Sequence, residues 1–314
     1  MNISILGGGS WGIALAVHFI LRHQVTIWEF FPDKALEMQV SRKSSYLENA
    51  TIPENIKITS TLDEVIKFGD IVIVAVPSDK VAETLEKCQN LIDKKTVIIC
   101  SKGFSLDGRL LSEVAKQYIS GSIYCLYGPS IADEVYNFKF TGLVLAGLTK
   151  NEMLRKILED ENLRIEMSDD LIGVQIAATL KNILAIYVGM LEGMGLGENA
   201  KAYVISKGLP EIMDFGYILG ANKDTFCSIA GIGDIITTCY SEKSRNRTFG
   251  EQIGKGMKME QILSNMPNVV EGVLALKNVQ KIAVEKNINM PLIEGLYKVI
   301  FEDADPLVLL RSLT

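Results

Sequence analysis

The stretch from Ile3 to Ile20, "ISILGGGSWGIALAVHFI", constrains this chain more than any other: a β-rich run, a glycine cluster and a helical pattern follow one another without a gap. Gly7, Gly9 and Gly12 stand in G-x-G-x-x-G spacing, directly after the strand and opening the helix. Gly7 permits a tight turn, Gly9 lets a ligand approach the backbone, and Gly12 allows the helix to pack closely on the strand. The helix N-terminus then presents N–H groups to an anion. A glycine turn of purely structural purpose has the same spacing, but the strand-turn-helix context is the one a dinucleotide pyrophosphate requires.

Short β-rich runs continue to alternate with helical patterns: "ISIL", "QVTIW", "IKIT", "DIVIVAV", "TVIIC", "IYCLY", "TGLVLAG" and "LRIEMS". This alternation predicts an α/β domain, a Rossmann-type doubly wound parallel sheet covered on both faces, over residues 1–169. From about Asp170 long helical periodicities dominate (Leu171 to Leu191, Asn199 to Leu219, Met259 to Leu263, Val273 to Glu285, Pro291 to Glu302), predicting an all-helical domain over residues 170–314.

The first of these helices, "GVQIAATLKNILAIYVGML", is apolar nearly all the way round, yet Lys181 and Asn182 sit at its centre. An unpaired ammonium in an apolar interior would lose its proton. Gln175, Thr179, Asn182 and Gly189 fall on one stripe at 100° per residue, with Lys181 one row over, and such a stripe is expected to line a cleft. The alternative is a lysine snorkelling to the domain edge.

Composition removes several classes of function. The formal net charge is −6 and no Lys/Arg run exceeds a pair, so no nucleic-acid or anionic-membrane partner is expected. Five cysteines without a CxxC pattern argue against a disulfide framework or zinc site and fit a reducing cytoplasm. The two histidines, His18 and His23, lie close together in the first helical unit and read as structural, so neither a metal cluster nor a Ser/His/Asp triad is expected. The N-terminus enters a strand at Asn2 with no basic leader, and no uninterrupted apolar run approaches the roughly 20 residues of a membrane span.

Candidate chemistry clusters at the carboxyl ends of strands, the rim where open α/β sheets bind ligands. There lie "VPS" (Val76 to Ser78), "SKG" (Ser101 to Gly103) and "GPSIADE", with Gly128, Ser130 and Ala132. Lys102 reads equally as a turn lysine, and Ser130 as a helix N-cap. In "AGIGDIITTCYSEKSRNRTFG", Asp234, Thr238, Ser244, Arg245, Asn246 and Arg247 concentrate polar donors, and an arginine fork suits a phosphate or carboxylate; as a bare pattern "SRNR" is a solvated loop. Glu29, after "VTIW", stands near where an acid accepts from the ribose 2′-OH of NAD, whereas an NADP reader would carry Arg.

Together these motifs resemble the bacterial NAD(P)-dependent sn-glycerol-3-phosphate dehydrogenase family, in order from "GGGSWG" through "VPS", "SKG", "GPSIADE", "LKNILAI", "GLGENAKA", "GIGDIITTCYSEKSRNRTFG" and "VVEGV" to "MPLIEGLYKVI". The resemblance implies hydride transfer between sn-glycerol 3-phosphate and dihydroxyacetone phosphate, supplying glycerol phosphate for phospholipids, in a cytoplasmic protein for which a homodimer fits. It implies Lys181 as proton acceptor, with Lys102, Gly128, Ser130, Asp234, Ser244, Arg245 and Asn246 as substrate contacts. It further implies Ser10, Trp11, Lys102, Ala132, Arg245, Val269 and Glu271 as cofactor contacts. No metal is implied.

The chain departs from the family pattern in places. Glu29, Phe30 and Phe31 follow Trp28 where NADP-favouring members carry Arg, so NAD or NADP is expected as cofactor with NAD use at least equal to NADP. The family's Tyr-Leu-Pro-Gly is Tyr46-Leu47-Glu48-Asn49, its Glu after "SKG" falls within Phe104-Ser105, and the Arg of its "TRG" is Lys207. Lysine-dependent hydroxyacid and ketopantoate-type reductases share the two-domain plan but grip a carboxylate, whereas "SRNR" favours phosphate. A silent dinucleotide sensor would need the glycine turn without Lys181, Lys102, Asp234 or Arg245.

Overall fold

The computed structural model describes residues 1–266 and 270–307. The chain divides into two compact units, Met1–Ser101 with Arg109–Leu171, and Lys102–Gly108 with Ile172–Thr314. The sequence reading divides the chain after residue 169; the structure in addition groups residues 102–108 with the second unit.

In the first unit, β1 (Asn2–Leu6), β2 (Gln24–Trp28), β3 (Lys57–Thr59), β4 (Ile71–Val74), β5 (Thr96–Ile99), β6 (Ile123–Tyr127), β7 (Thr141–Gly147) and β8 (Leu163–Ser168) form one eight-stranded sheet in the order β3-β2-β1-β4-β5-β6-β7-β8. All eight runs named from the sequence are strands. The helices between them are α1 (Ser10–Phe19), α2 (Pro32–Ser41), α3 (Leu62–Phe68), α4 (Val81–Ile92), α5 (Leu111–Ala115), α6 (Ala132–Tyr136) and α7 (Glu152–Leu158). Every residue of β4 is buried, as a strand covered on both faces requires, while β8 alternates buried and exposed residues at the sheet edge.

The expected all-parallel sheet needs one correction: β7 runs antiparallel to β6, and β8 then runs parallel to β7. Residues 128–140 lead from β6 into β7, which pairs directly beside it in the opposite direction, without a crossover. Strand order reverses around β1, between β2 and β4, which puts the glycine turn at the switch point where doubly wound sheets bind ligands.

The second unit is helical: α8 (Leu171–Gly193, whose first residue belongs to the first unit), α9 (Gly197–Ile218), α10 (Asp234–Tyr240), α11 (Arg245–Gly254), α12 (Met259–Asn265), α13 (Glu271–Lys286) and α14 (Pro291–Phe301). The sequence reading finds no apolar run of membrane-spanning length, but α8 is 23 residues long with a mean hydropathy of 1.7, enough by length and composition. It runs straight through Lys181 and Asn182, and 94% of its apolar window is buried inside the protein.

Glycine contacts set the crossing of α8 and α11. A Cβ at Gly189 would lie 2.0 Å from the Arg247 carbonyl oxygen, and one at Gly193 2.1 Å from that of Glu251. From the other side, a Cβ at Gly250 would lie 1.9 Å from Ile186 O and one at Gly254 2.1 Å from Met190 O. Two glycines four residues apart on each helix therefore bring the backbones into direct contact. Gly189 is covered by α11 and does not line a cleft as the stripe argument expects; Gln175, Thr179 and Asn182 are likewise buried. "SRNR" proves to be the start of a helix instead of a loop, and α11 buries Phe249 and Ile253 beside the glycine contact.

Gly250→Ala is expected to lower stability by about 1–3 kcal/mol, the cost of overpacking a closed contact. Gly233→Ala, whose added carbon would meet nothing nearer than 3.8 Å, is expected to change it by less than about 0.5 kcal/mol. Urea unfolding of both variants checks the pair.

Candidate active site

The glycine turn after β1 has the shape its spacing calls for. Gly7 has φ +121°, and a Cβ there would strike Ala75 O at 2.7 Å; a Cβ on Gly12 would lie 2.0 Å from Gly7 O. Gly9 has open space on its Cβ side, with nothing within 4 Å. Gly9 is also the N-cap of α1 and no side chain caps that helix, so the N–H groups of its first turn remain for an anion. Ser10 Oγ donates instead to Tyr46 O at 2.5 Å, and Trp11 packs against the sheet core. An open Gly9 over an uncapped helix end fits the pyrophosphate of a dinucleotide.

Glu29, at the end of β2, is turned inward and only 4% exposed. Its carboxylate accepts from Phe31 N at 3.1 Å and from the backbone of Gly8 and Phe30, and a Cβ on Gly8 would lie 2.6 Å from Oε2. Burial raises its pKa, opposed by those N–H groups and the nearby Lys34. Phe30 and Phe31 are each 52% exposed and meet edge to face at 5.1 Å. Lys34 lies over the rings of Phe31 and Tyr46 and donates to the Tyr46 hydroxyl at 2.9 Å.

Hydrogen bonds lace together the carboxyl ends of β4, β5 and β6. Ser101 Oγ donates to Val76 O at 2.5 Å and the Tyr127 hydroxyl donates to Ser101 O at 2.6 Å. Gly128 has φ +146° with a Cβ position 3.0 Å from Gly142 O, so only glycine fits where the chain leaves β6. Ser130 Oγ donates back to Gly128 O at 2.9 Å. It is not the N-cap of the helix that Ala132 opens; that position is Ile131, which supplies no side-chain bond.

Inside the second unit, Lys102, Lys181 and Asp234 come together. Lys181 Nζ donates to Asp234 Oδ1 at 2.5 Å and to Thr238 Oγ1 at 2.8 Å, and Lys102 Nζ donates to Asp234 Oδ2 at 3.0 Å. Each carboxylate oxygen therefore faces one lysine. Thr238 donates its own hydrogen to Asp234 O at 2.7 Å, which leaves a lone pair for Lys181. Asp234 reaches this position through the π-helical turn Ile229–Gly233, where a Cβ on Gly231 would lie 2.1 Å from Phe226 O.

Lys181 is 5% exposed, and burial lowers its pKa from the ordinary lysine value to about 7. Asp234 opposes that shift and the Lys102 charge reinforces it. Lys181 is thus a lysine able to gain or lose a proton near neutrality. Cys239 borders the same group, its thiol pushed up to about 12 by burial.

One residue on, Asn182 joins a second group at the start of α11. Asn246 Nδ2 donates to Asn182 Oδ1 at 3.0 Å, and Asn246 Oδ1 accepts from Gly272 N at 2.9 Å, next to Glu271. Ser244 is the N-cap of α11, accepting from Arg247 N, and Arg245 opens the helix with an exposed side chain. Arg247 is committed to Glu192 at 2.5 Å. Val269 lies outside the described residues. Thr238 and Asn182 stand among the polar candidates of the sequence without an assigned role; the structure gives Thr238 to Lys181 and Asn182 to Asn246.

A glycine turn shaped for an anion at the switch point of a doubly wound sheet, followed by a helical unit that buries a lysine against a carboxylate, is the plan of a two-domain nicotinamide-dinucleotide dehydrogenase. Family models described as NAD-dependent glycerol-3-phosphate dehydrogenase N-terminus and C-terminus match residues 2–153 and 170–311. A glycerol-3-phosphate dehydrogenase [NAD(P)+] of Thermoanaerobacter sp. is 38% identical, covering 100% of this chain and 96% of its own length. One from Prosthecochloris aestuarii is 37% identical over 96% of this chain and 94% of its own. The crystal structure of a glycerol-3-phosphate dehydrogenase from Coxiella burnetii superposes with a TM-score of 0.94 at 32% identity, covering 99% of this chain and 98% of that one. The chain belongs to the NAD-dependent glycerol-3-phosphate dehydrogenase family, and its cofactor is NAD or NADP.

Asp234→Asn leaves two lysines without their shared countercharge, and a loss of about 3–5 kcal/mol is expected at pH 6. A lysine whose folded pKa is depressed makes the folded state bind fewer protons than the unfolded chain, so stability rises with pH from about 7 to the ordinary lysine range. The loss is therefore expected to shrink at pH 9, as urea unfolding at the two pH values checks.

Proposed function

We propose that the protein interconverts sn-glycerol 3-phosphate and dihydroxyacetone phosphate, with Lys181 as proton acceptor in the oxidation and donor in the reduction. The observation that carries this reading is Lys181 itself: a buried amine with a pKa near 7, held between Asp234 and Thr238 and faced by Lys102. The bound dinucleotide supplies the hydride acceptor or donor. Lys181 takes the proton of the secondary hydroxyl, Asp234 and Thr238 keep Nζ in one place, and burial, reinforced by the Lys102 charge, keeps the amine from being permanently protonated.

The substrate phosphate is assigned to Arg245, Asn246 and Ser244, where an exposed arginine fork and a helix N-terminus stand together. Lys102, Gly128, Ser130 and Asp234 are assigned to the rest of the substrate. Gly7, Gly9, Gly12, Ser10 and Trp11 are assigned to the dinucleotide, with Glu29, Phe30 and Phe31 at its adenosine end and Ala132, Val269 and Glu271 as further contacts. Lys102 and Arg245 are assigned to both ligands. A carboxylate beneath Gly8 repels a 2′-phosphate and no arginine replaces it, so NAD is used at least as well as NADP. The five cysteines are free thiols, which supports a cytoplasmic site. Glycerol phosphate supply for phospholipids and a homodimer, which sedimentation tests, complete the reading.

Following NADH and NADPH oxidation with dihydroxyacetone phosphate tests reaction, substrate and cofactor together; a strong preference for NADPH overturns the cofactor reading. Lys181→Ala is expected to lower kcat by about a hundredfold or more, with near-normal NADH binding by fluorescence. Wild-type activity in this variant refutes the role. Because oxidation needs the neutral amine, its rate is expected to rise through about pH 7 to a plateau, while reduction, which needs the ammonium, falls through the same range.

A further inference from the structure

Lys102 heads a seven-residue segment, Lys102–Gly108, that lies between β5 and α5 in the chain but belongs to the helical unit. Ser105 Oγ donates to Asp107 Oδ1 at 2.5 Å, Gly108 N donates to Ser105 O at 2.9 Å, and Gly108 completes the turn at φ +85°. Asn278, halfway along α13, donates Nδ2 to the same Ser105 carbonyl at 3.2 Å. A Cβ on Gly108 would lie 3.9 Å from both Asn278 Oδ1 and Ile282 Cδ1, so the turn rests on this face of α13.

Asn278 is 7% exposed and shares α13 with the buried Ala275, Leu276 and Val279. An amide among apolar groups is unfavourable without a hydrogen bond, and a leucine would fill such a position at no polar penalty. Here the amide meets a backbone carbonyl of the segment that carries Lys102. The N-terminal turn of the same helix holds the Asn246 and Asn182 group through Gly272 N, about 9 Å along the helix axis. One rigid helix thus registers both polar groups of the unit.

We propose that Asn278 is a positioning residue for the proton transfer: by fastening the 105–108 turn to α13, it holds Lys102 Nζ on Asp234. The proposal rests on Lys181 being the proton acceptor. Among the described residues, the groups that face Lys181 are Lys102 from this segment and Asp234, Thr238 and Cys239 from α10. Among them Lys102 is the one cation, and its charge opposes protonation of Lys181 only while it stays in place. When the turn loosens, Lys181 holds its proton to higher pH.

The test measures glycerol 3-phosphate oxidation and dihydroxyacetone phosphate reduction against pH for wild type, Asn278→Leu, Lys102→Met and the double variant. Asn278→Leu is expected to lower kcat about tenfold and move the Lys181 limb about one half to one pH unit upward in both directions, with the KM for NADH unchanged. Lys102→Met is expected to move it the same way, and Asn278→Leu to add no further shift in that background. Asn278→Gln, which keeps an amide donor, is expected to restore part of the limb position; Asn278→Ser serves if leucine impairs folding.

A folded Asn278 variant with a wild-type pH limb, or a shift that adds fully to that of Lys102→Met, overturns the proposal. If Lys102→Met itself leaves the limb in place, the electrostatic role of Lys102 falls, and the proposal with it. If it shifts the limb and Asn278→Leu does not, Asn278 alone is excluded.

Discussion

An ammonium group in an apolar helix has to find a countercharge, and in this protein that need organises the helical unit. α8 is covered along almost its whole length, so Lys181 is nearly withdrawn from water and is met by Asp234, buried completely on α10. The pairing requires α10 to start at a defined place, which the π turn and the close approach at Gly231 provide. Sharing Asp234 between two lysines leaves the group with an excess of positive charge. Desolvation lowers the proton affinity of Lys181, Asp234 restores part of it, and the second lysine offsets part of what Asp234 restores.

Glycine does for α8 and α11 what the carboxylate does for α8 and α10. With no side chains between them, the two helices touch backbone to backbone, and Asn246 reaches Asn182 across that contact. Lys181 and Asn182 are consecutive, so the Lys181–Asp234 group and the α11 helix start are fixed relative to each other by a single turn of α8. In the first unit glycines have the complementary purpose: Gly7 and Gly12 close the turn tightly, and Gly9 leaves room.

Much of this was legible because it is local. Eight β-rich runs became eight strands, and the glycine turn sits where its flanking strand and helix said it would. The family resemblance read from motifs is the family that the full-length comparisons show. Less local features were misread for identifiable reasons. α10 and α11 are short, and their packing combines a few apolar residues with glycine contacts and a buried ion pair, which a periodicity count does not weigh. The reversed direction of β7 is a matter of which neighbour it pairs with and how, which a strand pattern does not report. Glu29 was recognised as an acid at the right strand end, but its inward turn beneath Gly8 depends on N–H groups brought together by folding.

By itself the sequence determined the alternating sheet-and-helix grammar, the later change to helices, the glycine turn, and the presence of a lysine that its own helix cannot satisfy. Periodicity, turn chemistry and burial preference act over a few residues and can be read one window at a time. Only the tertiary structure decided that Lys102 and Asp234 are the groups meeting Lys181, that the segment bearing Lys102 packs with the helical unit, and that Asn278 reaches it. Those relations join residues 53, 132 and 173 positions apart. Their energies depend on distance and desolvation in space, quantities that no short stretch of chain contains.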